Sequence, residues 1–339
     1  MPKKIIVHIL AARPNFIKAN PLIKEFKKEG YQNYIIHTNQ HYDYKMSKIF
    51  FQDLDIPSPD VNLNIKTESH GKQTGDALIK IEEELIKINP VLVIVYGDVN
   101  SSLSGALAAS KLHIPIAHIE SGCRSFDKTM PEEINRILID NISDFLFCTE
   151  SSAFINLSKD KSTSGKIELV GNTAIDSLIQ IEDSLKEISR DYYLATFHRP
   201  FNVDNKDRLN QILTKLNNFN HKVIIPAHPR LKKNIKSSYD NIEFIEPLGY
   251  LDFLSYIKSS KGVVSDSGGI QCECAKIKVP LLTLRPSTEH LVTLTYGNKL
   301  VDIDNLKYDN FNLTIDTSPS MIWDGNTSKR IVKYLKKHI

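Results

Sequence analysis

Three carboxylates stand where a folded chain seldom leaves one idle. Asp98 ends residues 91–96, VLVIVY, the most continuously apolar and β-branched run in the sequence. Glu120 ends the next such run, residues 114–120, and Glu132 opens the segment Pro131-Glu132-Glu133-Ile134-Asn135-Arg136. An acid at the end of a buried strand loses hydration, and a partner or a function must offset that loss. Glu132 and Glu133 also have a simpler explanation, because acids favour the positive end of a helix that Pro131 would start. Arg136 lies four residues after Glu132, so an i,i+4 ion pair would account for both.

A second chemistry is written in residues 262–290. A short apolar strand empties through Asp266-Ser267-Gly268-Gly269 into a helix expected from about Ile270. The free N–H groups and the dipole at such a helix start favour an anion, a phosphate above all. Glu273, one turn in, suits a neutral donor-rich ligand such as a ribose, since beside a phosphate its charge would repel. Arg13 and Lys18 follow the first strand-like run and fit the same anion. His198-Arg199 follows residues 192–197, and His228 follows residues 222–226, again at strand ends.

These positions depend on elements that alternate along the chain. Strands are expected at residues 4–10, 34–38, 91–96, 114–120 and 145–149, and helices at residues 76–88, 103–111 and 132–141, with one from the first loop to about Lys28. Long apolar runs alternating with helical periodicity indicate a doubly wound α/β unit with a parallel sheet. The pattern repeats with strands at residues 192–197, 222–226, 242–245, 262–265 and 281–284, and a last helix at residues 327–337. Residues 176–191 are charged and helical in composition. A chain of 339 residues is long for one domain. The expected division is therefore 1–172, carrying the candidate acids, and 173–339, binding the nucleotide, with the last helix packing back on the first domain. Strand C-termini of both would line a common cleft.

Composition excludes several classes. The formal charge of +3 does not by itself call for a nucleic acid, and no apolar run is long enough to suggest a membrane span. The N-terminal apolar stretch is too short for a signal peptide, so a cytoplasmic location is expected. The four cysteines fit buried reduced thiols; Cys272 and Cys274 point to different faces of one helix, and no metal is expected.

Assembled, these stretches resemble the non-hydrolysing UDP-N-acetylglucosamine 2-epimerase family. The matching segments are Arg13-Pro14 with Lys18, Thr38-Asn39-Gln40-His41-Tyr42-Asp43, Tyr96-Gly97-Asp98, His118-Ile119-Glu120-Ser121-Gly122-Cys123-Arg124-Ser125, Met130 to Arg136, Thr196 to Arg199, Ser265 to Gln271, and Arg285 with Thr288-Glu289. They keep the family's order and span nearly the whole chain, down to Trp323-Asp324-Gly325. The resemblance implies two Rossmann-like domains of the glycosyltransferase-B type. It also implies interconversion of UDP-GlcNAc and UDP-ManNAc with no cofactor, by elimination of UDP to a 2-acetamidoglucal and re-addition with inversion at C2. Asp98, Glu120 and Glu132 become acid/base candidates supported by Arg136. His198, Arg13, Lys18 and Ser267-Gly268-Gly269 take the diphosphate, Glu273 the ribose, Phe253 the uracil, and Arg285 and His290 complete the substrate set.

An activator site for a second UDP-GlcNAc would use Gln40, His41, Lys72, Gln73, Arg199 and His228. A homodimer is the family expectation, with a nucleotide sugar as the small-molecule partner and neither nucleic acid nor membrane.

The chain departs from the family pattern at Ala11-Ala12, Asn39, Pro200-Phe201, Leu248 and His290, the last standing where an Arg is common. A neutral His290 would weaken the diphosphate grip unless Arg285 substitutes. Other readings of the same residues are a hydrolysing epimerase, a glycosyltransferase of the shared fold, and a nucleotide-sugar binder without turnover.

Overall fold

The computed structural model describes residues 4–38, 54–66, 69–189, 191–235, 238–313, 315–316 and 322–339, with the side chains of Pro229 and Arg230 left aside. The chain divides into two compact units, Met1–Gln180 with Pro319–Ile339, and Ile181–Ser318. Each is a parallel sheet with helices between its strands.

The first unit runs β1 (Ile5–Leu10), α1 (Arg13–Lys28), β2 (Gln32–His37), β3 (Val61–Asn62), α2 (His70–Ile88), β4 (Leu92–Tyr96), α3 (Asn100–Lys111), β5 (Ile116–Ser121), α4 (Pro131–Ile142), β6 (Phe145–Cys148), α5 (Ser151–Lys159), β7 (Lys166–Leu169) and α6 (Thr173–Ile181). Its strands lie in the order β3-β2-β1-β4-β5-β6-β7. β4 and β1 sit at the middle, which is why their residues are mostly apolar and buried on both faces, His8 being held by Tyr96 and Asn33. Val7, Ile9, Val93 and Val95 pack there with Ile81 and Leu85 of α2 and the alanines of α3.

The second unit runs β8 (Tyr192–Thr196), α7 (Pro200–Val203), α8 (Lys206–Asn217), β9 (Lys222–Pro226), α9 (Pro229–Lys232), β10 (Ile242–Ile245), α10 (Tyr250–Ser259), β11 (Val263–Ser265), α11 (Gly268–Ile277), β12 (Leu281–Thr283) and β13 (Asn298–Leu300). Its sheet order is β10-β9-β8-β11-β12-β13.

Several expected boundaries move. α2 starts six residues before the expected residue 76, because Ser69 caps it through the Lys72 amide. α3 begins at Asn100 rather than residue 103, so Asn100 and Ser101 are helical. Helix in residues 176–191 stops early: α6 ends at Ile181, a 3-10 turn covers Glu182–Ser184, and an extended stretch follows. The amides of Lys186 and Ile188 donate there to the hydroxyls of Ser255 and Ser259 on α10, so side-chain acceptors replace the helical ladder.

The last helix, α12 (Thr327–Leu335), belongs to the first unit and packs on α1. Its first turn is capped from α6. Asp176 accepts from the amides of Thr327 and Ser328, at 3.2 and 2.7 Å, and from the Ser328 hydroxyl at 2.8 Å. A buried carboxylate at a helix N-terminus gains from both orphan donors and the dipole. Asp176→Ala should lower the stability of the first unit by about 1–3 kcal/mol. Urea unfolding of the full chain measures this; an unchanged midpoint would remove the contact from the account.

Candidate active site

The first unit gathers its polar groups at the C-terminal ends of β4 and β5. After Tyr96 the chain turns through Gly97, which sits at φ +61°, a conformation that glycine adopts without strain. A side chain there would also crowd the Lys18 ammonium, 3.3 Å from the position of a Cβ. The turn delivers Asp98, whose Oδ2 accepts from Arg136 Nη2. Asn135 donates to the Asp98 carbonyl at 2.8 Å and to Asn100 Oδ1 at 3.0 Å, tying α4 and α3 to the same turn.

Glu120 carries a stronger local signature. Its φ is +72°, where a side chain with a Cβ is disfavoured, and the β5–β6 register slips between Ile119 and Ser121. A bulge of this kind re-aims a side chain, and strain held at one residue indicates a function. The carboxylate pairs with Lys18 at 2.6 Å, both side chains about 15% exposed. The structure therefore joins Lys18 to Glu120 and Arg136 to Asp98, so these two candidate acids each have a cation at hand.

Glu132 stands apart. It is exposed at the start of α4, and the acid that meets Arg136 on this helix is Glu133, at 3.1 Å. Glu133 is 1% exposed and accepts from the Ser125 amide and hydroxyl and from the Phe126 amide. The i,i+4 pairing of Glu132 with Arg136 is thus replaced by an i,i+3 pairing, because Glu133 is the residue that α4 turns inward. Sequence reasoning passed over Glu133; its signal is the i,i+3 spacing to Arg136 in a helix that must bury one face.

Arg13 is exposed on the first turn of α1. Gln73 is buried and accepts from Asn100 Nδ2 at 2.7 Å, which links it through Asn135 to the Asp98 turn. Lys72 is exposed and pairs with Asp76 at 2.7 Å. Gln40 and His41 lie outside the described residues.

In the second unit the organising group is Asp266, fully buried after β11. It accepts from the amides of His198 and Arg199, from Asn202 Nδ2 and from His198 Nδ1. Burial would raise its pKa, yet these donors outweigh burial and hold it below the usual value. His198 keeps 57% of its side chain exposed, and Arg199 donates through Nε to the Asp266 carbonyl. His228 is exposed at the end of β9.

The helix start differs from expectation. Gly268 and Gly269 are the first residues of α11 rather than part of the turn, with Ser267 at the N-cap. A Cβ at 268 would lie 2.6 Å from the Glu289 carboxylate, so a side chain there would require Glu289 to shift. Arg285 is engaged within its own loop. It holds Glu289 through both guanidinium nitrogens, at 2.6 and 3.3 Å. His290 is buried behind the same turn. Gln271 ties the loop to the helix, accepting from Thr288 and Asn298 and donating to the Ser267 carbonyl.

Phe253, half-buried on α10, lies one turn after Tyr250, whose hydroxyl donates to Glu273 at 3.0 Å. Burial raises the Glu273 pKa to about 7, with the tyrosine hydrogen bond opposing the rise. Among the described residues no cluster of His, Cys, Asp or Glu is arranged to hold a metal, and no helix is long and apolar enough to cross a membrane.

A family model described as UDP-N-acetylglucosamine 2-epimerase matches residues 24–336. The chain belongs to that family. It is therefore an isomerase, and its two Rossmann-like units are the make-up of the glycosyltransferase-B type. It is 44% identical to a UDP-N-acetylglucosamine 2-epimerase homolog of Methanococcus maripaludis, over 98% of this chain and 99% of that one. It is 40% identical to a UDP-2,3-diacetamido-2,3-dideoxy-D-glucuronate 2-epimerase of Pseudomonas aeruginosa, with the same coverage. The crystal structure of Methanocaldococcus jannaschii UDP-GlcNAc 2-epimerase in complex with UDP-GlcNAc and UDP superposes with a TM-score of 0.90, at 39% identity, covering 98% of this chain and 99% of that chain.

The raised pKa of Glu273 carries a sign for this family member's stability. The folded carboxyl binds its proton more tightly than the unfolded one, so its contribution is fully present below the unfolded pKa of about 4.5. That contribution is lost as pH rises through about 7. Glu273→Gln, which still accepts from Tyr250, should therefore stabilise the chain at pH 8 by up to about 3 kcal/mol and leave it unchanged near pH 4. Chemical denaturation at both pH values tests this; equal shifts at both would contradict it.

Proposed function

We propose that this chain is a non-hydrolysing UDP-GlcNAc 2-epimerase. The observation that carries the reading is the carboxylate pair of a family member, Asp98 beside Arg136 and Glu120 beside Lys18. One acid removes the C2 proton while the C1–O bond to UDP breaks, leaving a 2-acetamidoglucal. The other, protonated from solvent, gives its proton to the opposite face of C2 as the UDP oxygen re-forms the bond at C1, and the first acid passes the abstracted proton to solvent. No atom is gained or lost, and no cofactor is required.

Glu132 remains a third acid/base candidate, supported by Arg136. The α11 start with Ser267, Gly268 and Gly269, together with His198, Arg13, Lys18, Arg285 and His290, is assigned to the departing diphosphate. Glu273 is assigned to the ribose and Phe253 to the uracil. For a second UDP-GlcNAc we assign Gln40, His41, Lys72, Gln73, Arg199 and His228, with the Gln73–Asn100–Asn135 chain supporting a connection to Asp98.

The active form is proposed to be a cytoplasmic homodimer. Ile79 and Ile86 on α2, and Ile134 and Leu138 on α4, are large apolar side chains exposed on helices that flank α3.

A second substrate has a specific observation in its favour. The Pseudomonas relative is named for a diacetamido glucuronate, so 40% identity spans a change at C3 and C6 of the sugar. Both nucleotide sugars should be assayed in deuterated water. Deuterium at C2 with UDP retained is expected for the true substrate, and Asp98→Asn and Glu120→Gln should each slow it by at least about a hundredfold. Unlabelled sugar after long incubation rejects the reading. Stoichiometric release of UDP and free sugar would make the enzyme hydrolysing.

A further inference from the structure

The proposed reaction gives no task to His118, a buried titratable side chain. His118 lies on β5, two residues before Glu120, and is wholly shielded from solvent. Its ring meets an acceptor at each end. Nε2 is 3.0 Å from the Gly97 carbonyl oxygen, which can only accept, so that nitrogen carries a proton. Nδ1 is 2.7 Å from Asp140 Oδ1.

Asp140 is equally buried, and its other oxygen takes Arg124 Nη1 at 2.6 Å and the Gly122 amide at 3.1 Å. With a guanidinium on Oδ2, Asp140 is read as a carboxylate, which can only accept at Oδ1. Nδ1 must then donate as well, and the ring holds two protons.

Charged groups surround it. Asp140 faces the ring from α4 and Arg124 from the loop after β5, with the Cys148 thiol of β6 near Asp140. Beyond the Gly97 turn lie Lys18 with Glu120, and Asp98 with Arg136 and Glu133. Each of these acids meets a cation: Glu120 meets Lys18, Asp98 and Glu133 meet Arg136, and Asp140 meets Arg124.

We propose that His118 is the positioning residue of the acid pair: as a doubly protonated imidazole countered by Asp140, it clamps the Gly97 carbonyl and so aims Asp98. The Gly97 amide donates to the Ile119 carbonyl at 3.0 Å, so β5 grips this turn from both sides. The inference rests on Asp98 having the acid/base role proposed above.

The test has two readouts on the full chain. Ring 15N–1H correlation spectra at pH 7.5 should show both His118 nitrogens protonated, with His118→Gln supplying the assignment. Asp140→Asn should strip the Nδ1 proton. In kinetics, His118→Gln should lower kcat by about tenfold or more while KM stays within about threefold, the pattern of a misaimed acid rather than lost binding. Asp140→Asn should lower kcat by at least about threefold.

One bare ring nitrogen in the wild type overturns the charged state, as does a ring in Asp140→Asn that keeps both protons. A folded His118→Gln chain with wild-type kcat overturns the positioning role. Where that variant does not fold, wild-type kcat in Asp140→Asn does so. If the wild-type chain epimerises neither sugar, the functional reading fails, while the spectra still decide the state of the ring.

Discussion

Everything in the first unit answers to one constraint: acids placed at the ends of apolar strands must be compensated where they stand. β4 and β5 are buried, and Asp98 and Glu120 keep only 29% and 14% of their side chains exposed, so water does it only in part. The fold supplies cations instead, Arg136 from α4, Lys18 from α1 and Arg124 from the loop after β5. Each arrives from a different element, so the carboxylates are held by the packing of the whole unit rather than by a local turn. This favours catalysis as well as stability, because a group fixed by its neighbours does not reorganise during the reaction. The left-handed backbone at Glu120 fits the same view, since strain persists only where the surroundings over-determine it.

The second unit solves a different problem, that of keeping N–H groups available. Asp266 draws the loops after β8 and β11 together by accepting backbone amides, and Gln271 ties the loop around Thr288 to α11. The Arg285–Glu289 pair places a carboxylate against the first residue of that helix. Its negative charge lies where the helix dipole favours an anion. A bound phosphate would therefore meet a site already shaped by a charge of its own sign.

Much of this was legible in the residues. The runs at β4 and β5, the acids that end them and the glycines opening α11 all announced themselves, because burial on two faces and a helix start each leave a strong compositional mark. What stayed hidden had tertiary causes. Which of Glu132 and Glu133 faces inward depends on the rotation of α4 against β5, and both acids fit the helix start equally well. Asp266 reads as a turn residue until the amides of His198 and Arg199 are seen on it. The Asp176 cap on α12 joins residues some 150 positions apart, a distance over which no local pattern operates. The short strands β3, β7 and β13 carry too few residues for a period of two to emerge.

The most direct test of compensated acids acting on one carbon is a crystal structure of the Asp98→Asn chain soaked with UDP-GlcNAc. The sugar should lie with C2 between residue 98 and Glu120, the Lys18 and Arg136 pairings kept. A sugar bound with C2 out of reach of both side chains would contradict the account.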